Sequence, residues 1–176
     1  MATTKWIIDT THSEIVFKAR HLMITNVSGT FKEFNSELET ENEDFENGKI
    51  SFTAKIDSIN TGNDQRDGHL KSDDFFNAEK FPELKFEAKG LARKGDGEYE
   101  MDGNLTIRDI TRPVKLQVAS SGVVNDPWGN VRTGFSVTGK INRKDFGLKW
   151  NAVSETGGIM LGDEIKLEAE AQYVKQ

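Results

Sequence analysis

The chain is organised by a period of two. In Ile50-Ser51-Phe52-Thr53-Ala54-Lys55-Ile56-Asp57 every second residue is apolar, which puts four apolar side chains on one face of a strand. The alternation recurs at Ile15, Phe17 and Ala19, at Val27, Gly29 and Phe31, and at Leu84, Phe86 and Ala88. It continues through Tyr99, Met101, Gly103, Leu105 and Ile107, then Val114, Leu116 and Val118. It closes with Val131, Thr133, Phe135, Val137, Gly139 and Ile141, and with Ile165, Leu167, Ala169, Ala171 and Tyr173. The positions between are mostly polar or charged, as in Glu164, Lys166, Glu168, Glu170 and Gln172. Asn47-Gly48, Gly95-Asp96-Gly97, the stretch from Asn125 to Gly129, and Gly157-Gly158 are expected to turn the chain between strands. One apolar face and one wet face predict an antiparallel sheet. Long strands of that kind must pack as a sandwich or close into a barrel. Only the segment from Thr61 to Phe76 loses the alternation. There Asn63 or Asp64 is placed to cap a short helix weakened by Gly68, and Ser72 to cap a further turn.

At 176 residues, with no repeat or linker, the chain reads as a single domain spanning residues 1–176. Twenty-three basic against 29 acidic residues give a net charge of −6, without clustered Lys or Arg. That argues against a nucleic-acid partner, which needs a basic surface for phosphate. Mean hydropathy is −0.60, and no apolar run exceeds three residues. No stable membrane insertion is expected. Cysteine is absent, which removes disulfides, thiolate catalysis and Cys-based metal sites together. The start, Met1 to Asp9, does not read as a secretory signal, so the chain is expected in the cytoplasm, or in the periplasm if it is a trimmed mature form.

The apolar faces mix large residues with Ala54, Ala88, Gly103, Gly139, Ala169 and Ala171. Small inward residues either leave a tunnel for an apolar chain or match the taper of a packed barrel. Eleven Phe against two Tyr and three Trp suit an apolar lining and a plain core equally well. His12, His21 and His69 lack metal-ligand spacing, and the stretch from Asn63 to Asp74 fails as a calcium loop because Asn63, Arg66 and Asp74 are wrong for it. Nucleophile elbows, phosphate loops and dinucleotide fingerprints are missing. The best polar cluster is Arg66-Asp67-x-His69. It can donate to a phosphate, carboxylate or carbonyl, or tie the helix to the barrel through salt bridges.

Several motifs, in order, resemble the YceI-like, polyisoprenoid-binding family. They are Trp6-x-x-Asp9-x-x-His12-Ser13-x-Ile15-x-Phe17-x-x-x-His21, Gly29-x-Phe31, and Asn60-Thr61-Gly62-Asn63 followed by Arg66-Asp67-x-His69-Leu70-x-Ser72-x-Asp74-Phe75-Phe76. Phe81-Pro82-x-Leu84-x-Phe86, Gly103 to Arg108, Thr111-Arg112-Pro113-Val114 and Asn142-Arg143-x-Asp145-Phe146-Gly147 complete the set. The resemblance implies an all-β fold: an extended eight-stranded antiparallel lipocalin-like β-barrel with one short helix, usually a homodimer. It implies a lumen that holds a long-chain lipid of polyisoprenoid or isoprenoid-quinone type as ligand, for transport, storage or sequestration, with no other cofactor and no metal. Many relatives are exported to the periplasm. On that basis Phe17, Phe31, Phe52, Phe75, Phe76, Phe86, Met101, Phe135 and Tyr173 are expected to line the lumen. Trp128, Trp150 and Met160 are expected at the rim, and His21, Arg66 and His69 at the head group. Two other readings stay open: a lipid-modifying hydrolase or isomerase with His21 or His69 as general base, and a packed structural barrel without ligand.

Overall fold

The computed structural model describes residues 3–22, 24–41, 44–150 and 161–176. Its strands are β1 (Thr3–Ile8), β2 (Glu14–His21), β3 (Thr25–Phe31), β4 (Phe34–Glu41), β5 (Asp44–Lys55), β6 (Ile59–Asn60), β7 (Glu83–Gly95), β8 (Glu98–Ile107), β9 (Ile110–Asn125), β10 (Val131–Asn142) and β11 (Leu161–Lys175). All pairings are antiparallel. β1 and β2 are two halves of one long bent strand, since both pair with the same edge of β11. β3 and β4 likewise continue one another, as do β5 and β6, against the neighbouring halves. The result is a closed up-and-down barrel of eight strands, each next to its sequence neighbour, with the last strand paired back to the first.

The bend between β1 and β2 is a short 3-10 turn, Thr10–His12, and its backbone is fully provided for. Asp9 N–H donates to Gln172 O at 2.7 Å, and the Ser13 hydroxyl accepts from Gln172 N–H at 2.9 Å while donating to Asp9 O. A side chain thus replaces the ladder bond that the bend removes. Beside it the Arg132 guanidinium bridges Asp9 (2.8 Å) and Asp126 (2.6 Å), joining the bend to the β9–β10 turn. His12 Nδ1 lies 2.8 Å from the same Asp9 oxygen, Oδ2, and the other oxygen accepts from Thr11.

Each of the eight alternating segments falls on a different one of the eight barrel strands. β4 escapes the pattern because its inward row is Phe34, Ser36, Leu38 and Thr40, half of it hydroxyls, and β1 because Ile7 faces out between Trp6 and Ile8. Asn47-Gly48, expected as a turn, is instead a bulge inside β5: Asn47 has φ +64° and the register against β4 shifts there. Gly157-Gly158 lies outside the described residues.

The glycines of the inward rows are not vacancies. A Cβ on Gly103 would stand 2.5 Å from the Phe86 ring and 2.6 Å from Glu87 O. Gly29 is covered by the Phe17 ring and Gly139 by the Leu116 side chain. A bulky residue at Gly139 would therefore meet Leu116 rather than fill ligand space. The glycines are seats for large neighbours, whereas Ala169 and Ala171 border open volume.

Two outcomes follow for stability. Gly103→Ala overpacks a site closed by backbone and ring, and should destabilise by about 1–3 kcal/mol, read as a lowered Tm. Asp126 is held at a pKa of about 2, below the usual carboxylate range, chiefly by the Arg132 hydrogen bond. A depressed carboxylate pKa adds stability that is complete above the unfolded value and lost as pH falls through the folded one. The Tm deficit of Asp126→Asn should therefore be constant above about pH 5 and shrink between about pH 4 and 2. A deficit independent of pH across that window would show that the ion pair contributes nothing.

Candidate functional site

The barrel encloses a cavity of about 410 Å³. That lies within the usual range of ~300–1,000 Å³ for small-molecule sites. Its walls are side chains from the inward rows: Ile15 and Phe17 on β2, Phe86 on β7, Met101 and Leu105 on β8, Leu116 on β9, and Ala169 and Ala171 on β11. All of them come from the period-two pattern, so the wall chemistry is a direct consequence of the alternation.

One end of the barrel is covered by the segment that lacks alternation. It contains α1 (Asp64–Leu70), capped by Asn63, whose side chain accepts from Arg66 N–H at 3.0 Å. After α1 the chain turns through Ser72 and drops Phe75 and Phe76, both buried, onto the barrel end. Arg108, in the tight β8–β9 turn, fastens this cover. Its guanidinium donates to Asp73 O (2.7 Å), Phe75 O (2.8 Å) and the Asp73 carboxylate (2.9 Å), and lies over the Phe81 ring.

A second arginine fastens the other cover. Arg143 is 1% exposed and donates to the carbonyls of Gly162, Leu148, Trp150 and Leu161, with Asp163 at 3.7 Å. Burial pulls its pKa down from the usual arginine value, opposed by Asp163. Every donor edge of the guanidinium faces an acceptor, the condition under which a buried cation is tolerated. It holds Trp150 at the mouth, where the indole packs edge-on against His69 (centroids 4.6 Å) and tilted against Phe75 (5.4 Å).

The polar groups collect at this mouth. Asp67, buried, accepts from Thr61 N–H at 2.9 Å and from the Thr61 hydroxyl. Thr61 in turn accepts from Arg66, its Oγ1 from Nε at 2.8 Å and its carbonyl from Nη2 at 2.7 Å. Asp67 therefore orients Arg66 through Thr61, and the salt bridges expected from Arg66 and Asp67 to the barrel are absent among the described residues. His69 Nε2 sits 2.8 Å from Asp74. His21 reaches the same cavity from the end of β2. Glu168 also borders the cavity, but its carboxylate pairs with Lys18 at 3.4 Å.

Of the residues expected in the lining, Phe17, Phe31, Phe52, Phe75, Phe76, Phe86, Met101 and Tyr173 border the cavity, as do Trp150, His21, Arg66 and His69. Phe135 does not. It sits below the cavity in a stack with Phe45 (5.1 Å) and Tyr173 (5.9 Å). Trp128 is not at the rim either. It lies at the opposite barrel end, 79% exposed, in a turn fixed by the Asp126 carboxylate, which accepts from Trp128 N–H and Asn130 N–H. An up-and-down order puts the β9–β10 turn and α1 at opposite ends, which no local signal reveals. Met160 lies outside the described residues. Sequence reasoning missed both clamping arginines, Arg108 and Arg143, although each stands in a quoted motif. It also missed the buried Ser36–Tyr173 pair, whose hydroxyls are 2.7 Å apart at the inner end of the cavity. Burial pushes the Tyr173 hydroxyl up to about 12.

Comparison with known proteins agrees with this architecture. A UPF0312 protein of Staphylococcus aureus is 40% identical over 171 residues, 97% of each chain. The crystal structure of a Campylobacter jejuni YCEI protein is 34% identical, covers 89% of each chain and superposes with a TM-score of 0.76. Burkholderia cenocepacia BcnA shares the fold at 20% identity with a TM-score of 0.80, over 94% of this chain and 98% of that one. So does a polyisoprenoid binding domain from Saccharophagus degradans at 14% identity with a TM-score of 0.71, over 97% and 98%. The model of the YceI-like domain matches residues 6–173, nearly the whole barrel, and the chain belongs to that family.

Proposed function

We propose that the protein binds a long-chain amphiphilic lipid, with its tail in the barrel and its head group at Arg66, His69 and His21. The observation that carries this is the distribution of polarity: an apolar bore whose uncommitted hydrogen-bonding groups gather at one end. Among the described residues Arg66 meets no acidic partner, and two of its three nitrogens are spent on Thr61. The third is left for a ligand acceptor. A phosphate, carboxylate or carbonyl head group suits that donor set.

The tail supplies affinity. Burying each methylene contributes roughly 0.8 kcal/mol, against which stand the costs of immobilising and ordering the chain. A polyisoprenoid or isoprenoid-quinone-type tail fits such walls, and the description of the Saccharophagus degradans domain as polyisoprenoid binding supports the same class. Transport, storage or sequestration of the lipid is the role we assign. Among the described residues no side-chain hydroxyl hydrogen-bonds to the ring of His21 or His69, so a binding site accounts for the geometry better than a hydrolase does.

Two measurements test this. Mass spectrometry of gently purified protein, native and then solvent-extracted, should show one long-chain lipid per chain. A bare mass that persists after exposure to a cell lipid extract would instead favour a packed barrel without ligand. Arg66→Ala should weaken binding of an acidic-headed lipid by roughly 10–100-fold, the worth of a hydrogen bond to a charged group. It should leave binding of the corresponding hydrocarbon, which lacks the head group, unchanged.

A further inference from the structure

The bore has a mouth and a floor, and the floor is built from interlocked rings. Tyr173 closes the cavity from below. The Ser36 hydroxyl donates to Ser51 O at 2.7 Å, so the bond between Ser36 and Tyr173 has the tyrosine as donor. Behind Tyr173 stands Phe135, edge-on at 72°, then Phe45, edge-on to Phe135 at 84°. Behind Phe45 stands Trp6, 5.7 Å away and 0% exposed, whose indole N–H donates to Thr40 at 3.1 Å. Each ring is braced by the next, and the last is pinned by a buried hydrogen bond.

From Tyr173 to Leu161 at the mouth, β11 takes 173 − 161 = 12 residue steps. That is roughly 40 Å along the strand at ~3.3 Å per residue, and roughly 30 Å along the axis for a strand tilt of ~40°. A volume of about 410 Å³ open to the centres of water-sized spheres, spread over that length, gives a bore roughly 7 Å across once the ~1.4 Å radius of the sphere is added, the width of one branched chain. An extended chain advances ~3.3–3.6 Å per three bonds, so about 25 chain atoms, or roughly six isoprene units, span mouth to floor.

We infer that the Tyr173–Phe135–Phe45–Trp6 stack is a ruler: the site selects single-tailed amphiphiles, and affinity stops growing once the tail reaches Tyr173. This rests on the lipid-binding reading above and adds to it the number of tails and their length. Ala169 and Ala171 are then the specificity-determining positions, since they are the small wall residues immediately above the floor on β11. A bulky side chain at Ala169 raises the floor by 173 − 169 = 4 residues, roughly 10 Å along the axis or about two isoprene units.

The test is a titration of the full chain with prenyl monophosphates of two, three, four, six and eight units, and with a diacyl phosphatidic acid carrying the same kind of head group. Kd should tighten about tenfold or more with each unit up to about six. The eight-unit chain should then bind within about twofold of the six-unit one, and phosphatidic acid at least ~100-fold more weakly. In Ala169→Phe the break should move to about four units. Ala169→Leu, less bulky, replaces it if that variant does not fold, and should move the break in the same direction by less. A gain that continues to eight units, phosphatidic acid binding within about tenfold of the six-unit chain, or a break that ignores the Ala169 substitution would overturn the ruler while leaving lipid binding intact. Failure of every prenyl phosphate and of phosphatidic acid to bind would overturn the lipid-binding reading, and the ruler with it.

Discussion

Everything in this molecule depends on the pairing of its last strand with its first. β11 offers one edge to β10 and the other to both β2 and β1, and that second seam turns an open sheet into a tube. Closure removes free edges, which would otherwise invite pairing with other chains. It also encloses every inward row, so seven Phe and Tyr side chains border one shared cavity. The weak point of the seam is the bend at Asp9–Ser13, where the ladder is interrupted. The Ser13 hydroxyl and the Arg132 bridge to Asp9 and Asp126 sit at that interruption.

A closed eight-stranded tube sits at the boundary between filled and hollow. In this chain the two conditions occupy different heights of the same barrel. The lower end is filled by Trp6, Phe45, Phe135 and Tyr173, with both contacts of Phe135 edge-on and Trp6 tilted against Phe45. Above it rings such as Phe17, Phe52 and Phe86 stand in the wall, and the bore between them stays open. The large–small alternation therefore serves both readings at once: glycines take neighbouring rings into the wall, and alanines leave width for a chain.

The mouth is assembled from pieces that are not strands. Two covers, the α1 segment and the segment leading to Trp150, lie across the barrel end. Each is fastened by one arginine that donates mainly to backbone carbonyls, Arg108 for the first and Arg143 for the second. Backbone acceptors make these clamps insensitive to which side chains the covers carry, and neither clamp draws on Arg66, His69 or His21. Asp67 acts at one remove, setting Thr61, which sets Arg66.

What the sequence determined by itself is the wall. A period of two fixes which side of a strand each residue faces, so all eight barrel strands, and most of the lining, were legible before any coordinates. The short helix was legible from its cap, Asn63, and from lost alternation. Where hydroxyls replaced apolar groups on the inward row of β4, or an apolar residue faced outward in β1, the signal failed. The Asn47-Gly48 pair read as a turn because its left-handed geometry serves a bulge equally well. Tertiary structure alone decided depth and end. Period two says inward but not how far along the axis, so Phe135 and Tyr173 looked like equivalent liners, yet one is floor and the other foundation. Trp128 and Trp150 both lie in chain that breaks the alternation, and only the up-and-down order of strands puts one in solvent and the other at the mouth. Arg108 and Arg143 bind carbonyls brought together by the fold, a partner set that no spacing along the chain records.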